Sequence, residues 1–481
     1  MNLSAMDRDS GKQLLLPGFQ KEPEQGKESD HRGSLKGRTP ESIGGGTETS
    51  LSERPVNPPE RIQEESRRSD DRREKGRKVH SLIDKVYSRK NLEMAWERVK
   101  ANKGSGGIDG ISTKRFEDSK DRYLDEIHLA LKEDQYSPTP VRRVWIPKPD
   151  GRQRPLGIPT IKDRVVQQAL LNRLGPIFEK KFLPTSFGFR PGRSTHDALR
   201  RIWIKLLEGY VWIVDADIKG CFDTIPHEKL LDFVAEEVSD GRVLRLIRMF
   251  LKAGVMEGFK LLPTPSGTPQ GGVCSPLLAN IYLHYYDLKM KEKGYEATRY
   301  ADDFVVQCRS KREAEQALEE TKKVIEKDLG LTLHPTKTRL VHVSQGIEFL
   351  GYKIGKGQGL RFKETPKSNL YAIPTQKSLD GFKEQIRKIT WRRNPATLPE
   401  MINELNPVLR GWGNYYRKAH VRRQFHRMDG WIEKRIYSFI RKRWRNMAWR
   451  EYPTSRLREE YGLVSLFHLI PGVSSVPVKA T

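Results

Sequence analysis

The chain has 481 residues, 31% of them charged, and a mean hydropathy of −0.70. It has no apolar run near the roughly eighteen residues of a transmembrane helix, and its three cysteines are too far apart for a disulfide framework or a paired zinc motif. The 88 Lys and Arg against 62 Asp and Glu give a net charge of +26, which suits a polyanionic partner, either nucleic acid or an acidic membrane surface. A basic protein without such a partner is the alternative that composition leaves open.

The N-terminal segment, residues 1–75, contains a single aromatic residue, Phe19, among many Ser, Glu, Arg and Pro. Such a segment cannot bury enough apolar surface to offset its chain entropy, so it is predicted to be a disordered tail. Its only apolar run, residues 14–16, is too short for a signal peptide, and a cytoplasmic location is therefore expected. Globular patterning follows, with a helix indicated by apolar positions 92, 95, 96 and 99 behind Asn91 as a candidate cap.

Strands and helices then alternate irregularly along the chain. Residues 141–158 predict two strands around a Pro-Asp-Gly turn at 149–151, and residues 161–182 predict a helix. A strand over 210–217 ends in Asp217, helices are expected over 227–237 and 276–290, and residues 298–309 predict strand, turn and strand. A long helix over 313–329 and a strand near 331–333 complete an α+β domain with a mainly antiparallel sheet.

The region after about residue 376 is helical in pattern and strongly basic. Residues 381–450 contain 18 Lys and Arg against 5 Asp and Glu, together with eleven aromatic residues. One apolar stripe has helical spacing: Met428, Trp431, Ile432, Ile436, Phe439 and Ile440. Four cations follow it: Arg441, Lys442, Arg443 and Arg445. A solvated basic face is the alternative for any one helix, but the concentration of charge favours a nucleic-acid surface.

The adjacent acids Asp302 and Asp303 fall at the predicted hairpin tip, and Asp217 ends another strand. A solvent-exposed Asp-Asp turn is the simpler interpretation of such a pair. Together, however, the three carboxylates could supply oxygen ligands to a hard cation such as Mg²⁺, which binds few carboxylates plus substrate phosphates. Two such ions can hold the attacking and leaving oxygens of a phosphoryl displacement.

Five motifs occur in series: SFGFRPGRS at 186–194, ADIKGCFD at 216–223, TPQGG at 268–272, YADD at 300–303 and LNPVLRGWGNYY at 405–416. The YADD motif resembles the YxDD box of reverse transcriptases, and ADIKGCFD resembles their first-aspartate motif. Together the five resemble the group II intron reverse transcriptase/maturase family over roughly residues 80–450.

The resemblance implies a right-hand polymerase, with fingers and palm over residues 76–370, followed by an all-α basic thumb/maturase domain over 371–450. It implies two Mg²⁺ ions, deoxynucleoside triphosphates, an RNA template, a DNA primer or target, and intron RNA bound by cations such as Arg410. Residues 451–481 would form a short C-terminal segment without an HNH nuclease, because no cysteine lies beyond Cys308.

The motif positions also imply roles for individual residues. Asp217, Asp302 and Asp303 are expected as the metal-site acids, with the carbonyl of Ile218 as a further ligand. Nucleotide contacts are expected from Lys148, Arg154, Phe222, Gln270 and Lys337. Lys148 and Arg154 would bind the triphosphate, Gln270 would lie along the nucleotide, Phe222 would exclude a ribose 2′-hydroxyl, and Lys337 would protonate the departing pyrophosphate. Exposed cations and a core phenylalanine are the alternative interpretations of these side chains.

Two other functions remain open from sequence. One is a maturase that only binds RNA during splicing, and the intact acid triad argues against it. The other is a related reverse transcriptase adopted for host defence or repair, which the protein sequence does not separate from an intron-borne enzyme. A membrane role is not expected, since no terminal amphipathic anchor is present. The sequence does not specify the oligomeric state.

Overall fold

A computed structural model of the protein describes residues 78, 81–147, 153–268, 271–357, 369–441 and 448–473. The predicted tail over 1–75 and the predicted turn at 149–151 lie outside these residues. So do Lys148, Gln270, Lys442, Arg443, Arg445 and the side chain of Arg441. No helix in the described ranges is both long and apolar enough to cross a membrane.

The N-terminal part of the chain forms five helices, four before the first two strands and one after them: α1 (Ile83–Tyr87), α2 (Arg89–Ala101), α3 (Thr113–Asp118), α4 (Lys120–Lys132) and α5 (Ile161–Glu179). The four apolar positions predicted for α2 are all buried, and Trp96 stacks on Phe116 with ring centroids 4.3 Å apart. The prediction that Asn91 caps α2 is wrong, because the helix begins at Arg89. Asn91 is instead buried, and its amide nitrogen donates to the carbonyls of Val86 and Ala169, so this buried donor is paired.

The first sheet has strand order β2-β1-β4-β5. Strands β1 (Val141–Pro147) and β2 (Gln153–Ile158) are antiparallel, as predicted, and β1 also pairs in parallel with β4 (Val255–Glu257), which forms a hairpin with β5 (Lys260–Leu262). Between these strands the chain forms α6 (Thr195–Leu207), β3 (Trp212–Asp217), α7 (Cys221–Thr224), α8 (His227–Ala235) and α9 (Gly241–Lys252).

The central sheet has strand order β6-β7-β3-β8 and is antiparallel throughout. It contains β6 (Ala297–Tyr300), β7 (Asp303–Cys308) and β8 (Arg339–His342), preceded by α10 (Ser275–Glu292) and interrupted by α11 (Lys311–Lys322). Val214 and Val306 pack into one hydrophobic core, whereas Ile213 and Val305 pack into a second. The sheet is therefore buried on both faces along most of its length.

The segment after α11 differs from prediction. A π-helical stretch, Lys323–Asp328, replaces the end of the predicted helix. The predicted strand near 331–333 is reduced to a single bridge between Leu333 and Ile218. The strand does not extend because the chain turns at once, with the amide of Thr338 donating to the carbonyl of His334 at 3.0 Å.

The C-terminal part begins with a three-stranded sheet of β9 (Ile347–Phe349), β10 (Tyr352–Lys356) and β11 (Leu370–Pro374). Helices follow from residue 376, as predicted: α12 (Gln376–Ile389), α13 (Leu398–Tyr416), α14 (Arg422–Arg441), α15 (Ala448–Glu451) and α16 (Thr454–Glu459). Met428, Ile432, Ile436 and Phe439 of the predicted stripe are buried in the second core. This core also contains Val305 of the central sheet, so it joins that sheet to the helical region.

Candidate active site

The turn between β6 and β7 consists of Ala301 and Asp302, since Tyr300 pairs directly with Asp303. Two-residue hairpin turns require a positive φ, and Ala301 adopts one, at 60°. For a residue with a Cβ this left-handed conformation costs about 1–2 kcal/mol. The predicted hairpin tip is thus confirmed, with Asp302 on the turn and Asp303 as the first residue of β7.

The register of β3 and β7 places Asp217 opposite Asp303. Side chains two residues apart in a strand point to the same face, so Asp215 shares the face of Asp217 and Asp303. This face is the one on which Ile213 and Val305 enter the second core. At its open end the sheet therefore gathers three carboxylates, with a fourth, Asp302, on the adjoining turn.

Burial and the neighbouring negative charges raise the pKa values of Asp302 and Asp303. Burial, together with the negative charges of Asp215, Asp217 and Asp302, raises the pKa of Asp303 to about 7. Burial and the charge of Asp217 also raise the pKa of Asp302, although the positive charges of Arg154 and Lys337 act in the opposite direction. Burial and mutual repulsion thus disfavour the fully ionised cluster, and an added cation would offset both effects.

Two cations reach this cluster from the segment after the π helix. The Nζ atom of Lys337 lies 2.5 Å from Oδ2 of Asp217, and Nε of Arg339 lies 3.1 Å from Oδ2 of Asp215. The turn that begins at His334 brings Lys337 there, because the amide of His334 donates to the carbonyl of Asp217 at 2.7 Å. The predicted site residue Lys337 thus lies beside the predicted acid Asp217.

Ile218 and Leu333 face each other in an antiparallel bridge whose two hydrogen bonds are made by the flanking residues. The amide of Lys219 donates to the carbonyl of Thr332, and the carbonyl of Asp217 accepts from the amide of His334. In this pairing, the N–H and C=O groups of Ile218 itself point away from Leu333. Its carbonyl is therefore directed toward the side on which β7 lies.

Phe222 is the second residue of α7, and the helix begins directly after Gly220, which has a left-handed conformation. Its ring is partly buried against the first core and meets the exposed ring of Phe189 edge to face, with centroids 6.4 Å apart. The carbonyl of Phe222 accepts a hydrogen bond of 2.6 Å from the amide of Thr268, so the TPQGG segment starts beside α7.

The same segment also approaches β2. A Cβ on Gly271, whose φ is 113°, would lie 2.3 Å from the carbonyl oxygen of Gly157. The backbone at Gly271 therefore passes close to the backbone of β2, at a position where a side chain would clash. Strand β2 carries Arg154, placed opposite Ile146 of β1, and this arginine is the one whose charge acts on Asp302.

The remaining predicted residue in the described ranges is Arg410, which is exposed on α13 next to the buried Leu409. Sequence reasoning missed Asp215, Arg339 and the buried Arg299. Asp215 could have been found, since its position two residues before Asp217 puts both side chains on one face. An arginine buried in a core carries no comparable signal, because arginine is mostly exposed in proteins.

Among the described residues, no group of three or more Cys, His, Asp or Glu side chains is arranged as a ready-made metal site. For Mg²⁺ this is consistent with the donor set, since that ion is usually held by one or two carboxylates, waters and substrate phosphates. The crowded carboxylates, with the pKa of Asp303 raised to about 7, are the chemical feature that fits a divalent cation here.

Comparisons with known proteins agree with this geometry. The profile of the family described as reverse transcriptase (RNA-dependent DNA polymerase) matches residues 146–354, and the profile of the group II intron, maturase-specific domain matches residues 379–456. Protein YkfC of Escherichia coli (strain K12) is 34% identical over 286 residues, which are 52% of this chain and 75% of that protein.

Two further proteins are similar to the chain. The group II intron-encoded protein LtrA of Lactococcus lactis subsp. cremoris is 32% identical over 408 residues, which are 67% of this chain and 68% of that protein. Among solved structures, a partial Cas6-RT-Cas1–Cas2 complex covers 52% of this chain and 43% of its own, with a TM-score of 0.33 and 22% identity.

The antiparallel central sheet has paired aspartates at its open end and lies within the region that matches reverse transcriptases. The protein is therefore an RNA-directed DNA polymerase with a helical maturase region after the polymerase region. The chain belongs to the group II intron reverse transcriptase/maturase family.

Proposed function

We propose that this polymerase extends a DNA primer on an RNA template by two-metal catalysis at Asp217, Asp302 and Asp303, and that its helical region binds intron RNA during splicing and mobility. The observation that carries the catalytic proposal is the register that sets Asp217 opposite Asp303, with Asp302 on the adjoining turn. Asp217, the Ile218 carbonyl, Asp302 and Asp303 would hold two Mg²⁺ ions, which supply charge stabilisation to the transferring phosphoryl group.

The substrate contacts belong to the same proposal. Arg154, whose charge already reaches Asp302, would bind the triphosphate of a deoxynucleotide together with Lys148. Gln270 would lie along the nucleotide, and Phe222 would face its sugar. Lys337, held beside Asp217, would donate a proton to the departing pyrophosphate.

The chain organisation proposed here is a right-hand polymerase. Residues 76–370 would form fingers and palm, with the sheet of β1, β2, β4 and β5 in the fingers and the central sheet in the palm. Residues 371–450 would form the thumb, whose exposed Arg410 and the cations at 441–445 would bind intron RNA. The three free, buried cysteines suit the reducing cytoplasm, where we place the protein.

The catalytic proposal is tested by Asp217→Ala and Asp302→Ala, each assayed for Mg²⁺-dependent primer extension on an RNA template. Both variants should lose extension while keeping affinity for intron RNA, because the substitutions remove metal ligands and leave the basic surface intact. Asp232→Ala is the matched control, since Asp232 lies on the exposed face of α8. Extension at the wild-type rate by both variants would refute the assignment.

The maturase proposal is tested separately by splicing of the RNA that flanks the reading frame. Acceleration of its splicing by the protein, including the Asp302→Ala variant, is the expected result. An enzyme adopted for host defence or repair would extend primers yet leave splicing of any flanking RNA unchanged.

A further inference from the structure

Arg299, three residues before the acid pair, is fully buried at 0% exposure. Its partner is Asp287 of α10, whose side chain is 1% exposed. The pairing is bidentate, with Nε 2.9 Å from Oδ1 and Nη2 2.6 Å from Oδ2. A buried ion pair of this kind is weak evidence for stability, because apolar side chains of similar volume often replace one at no loss. The arrangement therefore calls for a reason other than folding.

The third nitrogen of Arg299 points at the active-site hairpin. Its Nη1 atom donates to Oδ1 of Asn280 at 2.9 Å and to the carbonyl oxygen of Ala301 at 3.0 Å. That carbonyl belongs to the peptide group joining Ala301 to Asp302. One guanidinium thus connects α10 to the peptide that orients Asp302.

The same hairpin is fastened along its other side by residues 185–188. The amide of Arg299 donates to the carbonyl of Thr185, and the carbonyl of Arg299 accepts from the amide of Phe187. Asn280 extends the network, since its Nδ2 donates to the carbonyl of Gly188 at 2.8 Å. A Cβ on Gly188 would lie 2.3 Å from the backbone nitrogen of Ala301, so backbone meets backbone at the tip.

We infer that Arg299 is a positioning residue of the polymerase: through the Ala301 carbonyl it holds the strained turn in the conformation that presents Asp302 to metal. This inference rests on the proposed role of Asp302 as a metal ligand. The left-handed φ of Ala301 is costly for alanine and persists only where the surroundings fix it. Arginine is required because its planar fork bonds Asp287, Asn280 and Ala301 together, whereas a lysine nitrogen cannot span the three.

The test is Arg299→Lys in the full chain, with Mn²⁺ as the probe. Mn²⁺ binding is measured by electron paramagnetic resonance, and extension is measured across Mg²⁺ and nucleotide concentrations. Lysine keeps the charge opposite Asp287 but releases the turn, so Mn²⁺ affinity should fall about 10-fold or more, as for the loss of other groups that orient metal ligands. The rate constant kcat should fall while KM for the nucleotide stays near the wild-type value.

Arg458→Lys is the matched control, because Arg458 is a partly buried guanidinium, paired with Glu433 at 3.1 Å. Both residues belong to C-terminal helices, α16 and α14, and neither belongs to the segments that hold the turn at 301–302. Arg458→Lys should lose stability without losing Mn²⁺ affinity. Wild-type Mn²⁺ affinity and Mg²⁺ dependence in a folded Arg299→Lys protein, or equal losses in both variants, would overturn the inference.

Two further variants keep the result decisive. If Arg299→Lys does not fold, Asn280→Ala takes its place, because it removes one partner of Nη1 and leaves the Asp287 pair intact. Asn280→Ala should weaken Mn²⁺ binding, by a smaller factor than is expected for Arg299→Lys. Wild-type Mn²⁺ affinity in Asn280→Ala would count against the inference. Asp302→Ala separates this inference from the proposed function. If Asp302→Ala retains Mn²⁺ affinity and extension, the proposed metal role of Asp302 is wrong. If Asp302→Ala loses both while Arg299→Lys behaves as the wild type, only the positioning role of Arg299 is wrong.

Discussion

The ammonium group of Lys337 binds Oδ2 of Asp217 directly, at 2.5 Å, although the two residues come from different segments of the chain. Lys337 is 57% exposed, whereas the side chain of Asp217 is 24% exposed. The lysine thus approaches the acid from the solvent side. In this state it supplies positive charge at a carboxylate that is proposed to bind metal, so it competes with the cation while it remains available to donate a proton.

Lys337→Ala separates these two effects. Extension should slow by a factor of about 10²–10⁴ if the lysine protonates pyrophosphate. Mn²⁺ affinity, in contrast, should increase because Asp217 loses a competing cation. The two quantities are measured by single-turnover extension and by Mn²⁺ titration.

Lys337→Arg is the control for charge, since arginine keeps the positive group but does not release its proton. It should be as slow as Lys337→Ala while retaining wild-type Mn²⁺ affinity. Fast extension by the arginine variant would show that Lys337 acts through charge alone.

Asp303→Asn should stabilise the protein when divalent cations are chelated. The pKa of Asp303 is raised to about 7 in the folded protein, above the value of about 3.9 for an unfolded aspartate. A folded state that binds the extra proton loses stability as pH rises between these values. The asparagine variant lacks this loss, so its melting temperature should exceed that of the wild type at pH 8, and by less at pH 5.

With Mg²⁺ present, the wild type should instead have the higher melting temperature, because the ion binds its carboxylate and does not bind the amide of the variant. Asp232→Asn, on the exposed face of α8, is the control and should show no such pH dependence. A constant difference between Asp303→Asn and wild type from pH 5 to pH 8 would contradict the buried, charge-crowded environment of Asp303.

The strand ends that carry Asp217, Asp302 and Asp303 could be predicted from local pattern, because each strand is a short apolar run. Their juxtaposition needed the register between β3 and β7, which local pattern does not specify. The strand predicted at 331–333 proved to be one bridge, and that error concealed the turn that brings Lys337 to Asp217. The role of Arg299 could not be predicted from the sequence, because it depends on contacts with Asp287 and Asn280 of α10 and with Ala301 of the turn.

The basic residues at 441–445 should dominate affinity for structured RNA. The variant replaces four cations with alanine: Arg441, Lys442, Arg443 and Arg445. Its affinity should fall, and the slope of log K against log salt should become shallower by up to about 0.9 for each phosphate that is no longer neutralised, because fewer counterions are released. Filter binding of intron RNA across a salt series measures both quantities.

The control removes the same charge from exposed cations of α11 and the π-helical turn after it: Lys311, Arg312, Lys322 and Lys323. It should change affinity little. Equal slopes for the two variants would show that the 441–445 cations act only through net charge.

Phe222→Val should admit ribonucleotides if the ring excludes a 2′-hydroxyl. The ring lies on α7, five residues after Asp217, where it is only partly buried against the core and contacts the exposed ring of Phe189. Steric exclusion acts on the difference between the two sugars, so deoxynucleotide incorporation should remain substantial while ribonucleotide incorporation increases. Phe189→Val is the control, because it removes the neighbouring ring and leaves Phe222 in place.

If Phe222 serves only as packing, its truncation should cost about 1–3 kcal/mol of unfolding free energy and leave sugar preference unchanged. Incorporation ratios measured beside melting curves distinguish the two roles, and a destabilised Phe222→Val protein with wild-type selectivity would leave Phe222 as a core residue.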